Sequence, residues 1–189
     1  IYPVYEAFYI ESIKYSVKRA LDAFDRYGEA LEQGHPDTAV SSIHEALSHS
    51  AGLSRFFWPS SIGGKSKKNL VQLRETRAAK LRNAFGLDEK SPLKDRRLRD
   101  ALEHFDERLD EYLLTDPVGN IMPGPIIARL HPDDEPIAHI FKMVDPEQAV
   151  FVLLGKTFEF KPIYIELARV QRFADDMSLK GHRLNFRDT

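Results

Sequence analysis

Cysteine is absent from the 189-residue chain. That excludes disulfides, thiolate metal sites and cysteine nucleophiles, and it fits the expectation of a reducing, cytoplasmic location. No run of about 18 apolar residues occurs, so no membrane span is expected. No leader pattern is present either, and because the sequence opens at Ile1 rather than methionine, its natural start is expected upstream. An excess of one charge sign is also lacking. The 27 Lys and Arg are set against 29 Asp and Glu, a net charge of −2, so a nucleic-acid surface would have to be a local patch. The stretch "SSIGGKS" lacks the six-residue frame that cradles phosphates, which argues against a small-nucleotide enzyme. "HEALSH" lacks the spacing of a zinc protease. That chemistry needs imidazoles four residues apart, whereas His44 and His49 are five apart and diverge by about 140° on a helix. No third ligand is evident, so His44 and His49 read as surface histidines, and no metal or cofactor is expected.

What is there is helical periodicity. Apolar residues make up 42% of the sequence and charged residues 30%, ordinary values for one globular domain over 1–189. Ile10, Ile13, Val17, Ala20, Leu21, Phe24 and Leu31 mark a first helix over roughly 3–33. Pro36, Asp37 and Thr38 open a second, which Pro59 stops, with Val40, Ile43, Leu47, Leu53, Phe56 and Phe57 as its stripe. A third follows Asn69 and ends at Gly86. A fourth spans 96–113. "TDPVGNIMPGP" reads as turn material, and "HIFKMV", "AVFVLL" and "TFEF" as short strands. Pro162 starts a fifth helix, and residues 179–189 read as an unstructured polar tail. The expected fold is mainly α. It is an antiparallel bundle of four or five helices, with 1–115 as the four-helix part, 116–160 as a loop plus a three-stranded antiparallel meander, and 161–178 as the last helix.

Charge is unevenly placed along this frame. Lys65, Lys67, Lys68, Arg74, Arg77, Lys80, Arg82, Lys90, Lys94, Arg96, Arg97 and Arg99 face only Glu75, Asp88, Glu89 and Asp95. This basic third of the chain suits phosphate backbones, or else a solvated face balanced by neighbouring acids. Phe85 alone interleaves it, which argues against stacking of single strands. In "RRLRDALEHFDERLDEYL" the arginines come first, while Glu103, Asp106, Glu107, Asp110 and Glu111 follow. On one continuous helix this order opposes the macrodipole. Asp100–His104 and Arg99–Glu103 are expected i, i+4 pairs; their bland reading is a salt-bridged surface helix.

"RDALEH", an arginine with a polar follower and then a histidine on a late helix of a bundle, resembles the signature of the HEPN superfamily, helical domains found in RNA-cleaving toxins and defence proteins. The resemblance covers roughly 3–115. It implies a metal-independent endoribonuclease in which His104 is general base or acid at the ribose 2′-hydroxyl and Arg99 holds the scissile phosphate, with Asp100 beside them. Arg96, Arg97, Lys94, Arg77 and Lys80 are the expected RNA-binding residues. On one straight helix Arg99 and His104 differ by about 7.5 Å of rise and about 140° of rotation. One copy therefore closes poorly on one phosphate, and the resemblance implies a homodimer through helix four. An antitoxin-type protein partner is a further implication. The alternative is a non-catalytic helical module for dimerisation, regulation or binding.

Overall fold

The computed structural model describes residues 2–60, 68–115, 119–129 and 138–185. Six α-helices and four strands follow in the order α1 (Glu6–Glu32), α2 (Pro36–Phe57), α3 (Lys68–Phe85), α4 (Arg96–Glu103), α5 (Phe105–Leu113), β1 (Asn120–Ile127), β2 (Ala138–Asp145), β3 (Val150–Leu153), β4 (Lys156–Glu159) and α6 (Lys161–Leu179). The chain is mainly helical, as its periodicity implies.

The long pair α1 and α2 forms the spine, and α6 lies along α1. Ile10, Ile13 and Val17 of α1 are fully buried with Ile43 and Leu47 of α2 and Leu167 and Val170 of α6. Each set recurs every three or four residues, so one stripe per helix meets the common core. Pro36 suits the first turn of α2, where its missing N–H costs nothing. Gly86, at φ 61°, ends α3 in the left-handed region that glycine enters without penalty.

The sheet corrects the expected meander. It has four strands in the order β1-β2-β3-β4, and β1 runs parallel to β2. Only β2–β3 and β3–β4 are antiparallel. β1 falls in the segment read as turn material. Pro123 and Pro125 give it that appearance, but an edge strand tolerates proline, and the register slips between Met122 and Pro125. The β3–β4 hairpin turns on Leu154 (φ 48°) and Gly155 (φ 71°), two successive positive-φ residues as a tight hairpin requires. α2, rather than the last helix, backs β1 and β2.

Two further expectations change. The stretch read as a single fourth helix is broken at His104 (φ −115°, ψ 41°). Part of the tail is also ordered. The Leu184 side chain is buried. Its N–H donates to Glu6 Oε2 (3.0 Å), and the Arg183 Nε donates to the same oxygen (2.9 Å), so residues 180–185 are pinned to the start of α1. Residues 186–189 of that expected tail, and Lys65 and Lys67 of the expected basic group, lie outside the described residues.

Candidate anion-binding cleft beside a helix break

The break at His104 alters the charge order for Asp106 and Glu107, while Arg96, Arg97 and Arg99 still open α4 and Asp110 and Glu111 still lie near the end of α5. Asp106 and Glu107 fall in the first turn of a new helix, α5, where carboxylates favour the macrodipole. At the front of α4, Asp95 caps the helix by accepting from the Arg97 backbone N–H (2.8 Å) and also binds the Arg97 guanidinium (2.9 Å). Burial alone would push the Asp95 carboxyl up, but the Arg97 hydrogen bonds and charge outweigh it and hold it below its ordinary value.

The expected pairs are rearranged by the same break. His104 Nδ1 lies 3.6 Å from Glu107 Oε1, not against Asp100. Glu103 forms an ion pair with Arg55 of α2, not with Arg99. Arg99 is 5% exposed. Its Nη1 reaches the Trp58 carbonyl at 3.5 Å and its Nε lies 4.0 Å from Asp100. His104 is half-exposed. Arg99 and His104 thus have different partners.

Of the expected binding residues, Arg97 is engaged by Asp95, and Lys94 by Glu89. The Arg96 backbone starts α4; its side chain lies outside the described residues. Lys80 is half-buried on α3. Arg97 also lines a small hollow of about 180 Å³, and Arg77 lines a larger cavity, of about 520 Å³, between α2 and α3 with Gly52, Arg55, Phe56, Pro59, Ser60 and Arg74. Arg77 Nη2 donates to the Arg55 carbonyl (3.1 Å), its guanidinium lies 5.8 Å from the Tyr9 ring centroid, and its Nε is buried with no hydrogen-bond partner among the described residues. Arg74 has no carboxylate within ion-pair distance among the described residues. Among the described residues, Glu103 is the one carboxylate ion-paired to these three guanidiniums, a set chemically suited to an anion. Phe56 and Pro59 give it an apolar floor.

Arg55 and Phe56 were not legible as site residues, since both look like the ordinary end of a helix stripe. The helix-two histidines also differ from expectation. His49 Nε2 lies 3.6 Å from Glu45, while His44 is half-buried with its ring centroid 6.0 Å from that of Phe151. Among the described residues no group of three or more His, Cys, Asp or Glu side chains is placed to hold a metal ion. No helix of the described residues is long and apolar enough to cross a membrane.

Fold and cleft together define a helical bundle with a flanking mixed sheet and an arginine-lined surface cavity. The chain matches no family model, no curated protein and no solved structure.

Proposed function

We propose that this chain is a HEPN-like RNA-acting protein whose α2–α3 cleft grips the phosphate backbone. His104, exposed at the nearby helix break, does the proton work of a metal-independent cleavage. One observation carries the reading: the Arg55–Glu103 ion pair ties the cleft to the last residue of α4, immediately before His104. In this scheme Arg55, Arg74 and Arg77 hold phosphate. Arg99 is a positioning residue that fixes α4 against the Trp58 carbonyl at the cleft's edge. A positioned imidazole contributes about 10²–10⁴ in rate, enough for slow, regulated cutting. A second copy meeting the first at α4 and α5 would bring a second His104 into reach, and an antitoxin-type protein would act by covering the same surface.

The buried state of Arg99 favours a second reading, a non-catalytic RNA-binding or dimerisation module with the same cleft. One experiment separates the two. Mixed RNA is incubated with the protein in chelator, beside His104→Ala, Arg55→Ala and Arg74→Ala. The leading reading expects cutting that resists chelator, is lost in His104→Ala, and weakens with RNA affinity in the arginine variants. RNA that is bound through the arginines yet stays intact supports the binding module. RNA that is not bound at all removes both RNA-acting readings and leaves only a dimerisation module. Sedimentation of the free protein reports the dimer.

A further inference from the structure

A second cavity, of about 540 Å³, lies away from the arginine cleft, where α2, α5 and strands β1 and β2 meet. Its volume falls within the range of small-molecule sites, roughly 300–1,000 Å³. One wall is the α5 face of Phe105, Leu109 and Leu113, spaced i, i+4, i+8 and so running about 12 Å along the helix. Phe141 and two prolines of β1 close the apolar part.

Its charged and titratable groups are Lys142, His44 and Asp37, with the Ser41 hydroxyl between the last two along α2. Lys142 of β2 has no carboxylate within ion-pair distance among the described residues, and its Nζ lies 4.9 Å from the Phe105 ring centroid. His44 lies at the same end. Burial first, and the Lys142 charge second, lower its basicity, so the imidazole is neutral at pH 7 and free to hydrogen-bond. Asp37 lies seven residues before His44 on α2, about 10 Å away along the axis. An uncompensated ammonium against an aromatic ring, at one end of a greasy slot, is matched by an anion with a hydrocarbon body.

We propose that this cavity is a binding site for an elongated amphipathic monoanion, a carboxylate or sulfonate on a flat or branched apolar body about 10 Å long, with its anionic head on Lys142 and His44 and its body along Phe105, Leu109 and Leu113. The site is independent of RNA binding, because none of these residues lines the arginine cleft.

The test uses two fluorescent probes with the same carbon frame, anilinonaphthalene sulfonate and uncharged N-phenyl-1-naphthylamine, titrated into the full chain. The expected result is one saturable site for each, with the sulfonate bound more tightly. Lys142→Met weakens the sulfonate about tenfold, as loss of one charged hydrogen bond implies, and leaves the neutral probe within about twofold. Leu109→Trp fills the slot and removes both. Circular dichroism melts establish that each variant is folded. The proposal is overturned if no single saturable site is found, if Lys142→Met leaves the sulfonate unchanged or weakens both probes equally, or if Leu109→Trp leaves both bound elsewhere on the surface.

Discussion

Arg55 of α2 and Glu103 of α4 share an ion pair at the mouth of the arginine cleft. Glu103 is half of a helix-to-helix contact and also the counter-charge that occupies one of three guanidiniums. Glu103→Gln therefore frees Arg55 for phosphate. RNA binding is expected to tighten, and the slope of log affinity against log salt to steepen by about 0.7, the share of one added cation on a single strand. Filter binding across a salt series measures both. An unchanged slope would mean that Arg55 does not meet RNA.

Arg99 is predicted to matter for folding more than for RNA. Its stem and guanidinium are buried against Trp58. Arg99→Ala is expected to cost about 2–4 kcal/mol in urea unfolding, in the range of large-to-small substitutions at buried sites. Arg99→Met keeps most of the packing and should retain RNA affinity, since the proposed phosphate grip lies in Arg55, Arg74 and Arg77. A folded Arg99→Met variant that has lost RNA binding would return Arg99 to the phosphate.

Glu166 and Arg169 of α6 join three parts of the fold. Arg169 donates to Glu166 and to the carbonyls of Phe85 (3.1 Å) and Gly86 (3.2 Å), while the Ser91 hydroxyl donates to Glu166 (2.9 Å). Burial pushes the Glu166 carboxyl up, but the hydrogen bonds from Arg169 and Ser91 and the guanidinium charge outweigh it and hold it below its ordinary value. A depressed carboxylate stabilises the fold above its unfolded value, about 4.3, and that contribution fades as pH falls through the lower folded value. The stability gap between wild type and Glu166→Gln should be widest near pH 6–7 and shrink below about pH 4.3. Chemical denaturation at several pH values would show it.

Tyr27 works in the opposite direction. Burial, and then the charge of Asp145, push its phenol up to about 12. A raised acid is stabilised in its protonated form, so its contribution is complete below the unfolded value of about 10 and is lost as pH rises toward 12. Spectrophotometric titration should show a late phenolate step that Tyr27→Phe removes. In the variant, unfolding free energy should fall less between pH 10 and 12.

The helices were legible because each carries a continuous stripe; Pro36 and Gly86 even mark where α2 begins and α3 ends. β1 was hidden by Pro123 and Pro125, whose effect on a strand depends on its being at the sheet edge, a fact of tertiary structure. The break at His104 was hidden because Leu98, Leu102, Phe105 and Leu109 keep helical spacing straight through it, with no proline or glycine to announce it. The basic third of the chain was legible as composition, yet among its described members Arg74 and Arg77 are the ones that line the cleft, and Arg55 joins them from a helix that looked unremarkable. Which cations converge depends on how α2 meets α3, and no single stretch of sequence carries that.

α5 has no fully buried residue, and open volume lies on both of its sides. The amphipathic slot flanks Phe105 and Leu109, and a second hollow of about 210 Å³ flanks Arg108 and Tyr112. Its firmest polar anchor is the 2.7 Å hydrogen bond between the Tyr112 hydroxyl and His139 Nδ1, at the end away from His104. Between that anchor and the break at His104, α5 rests on half-buried apolar side chains, so its amides are expected to exchange with solvent ahead of those of α1 and α2.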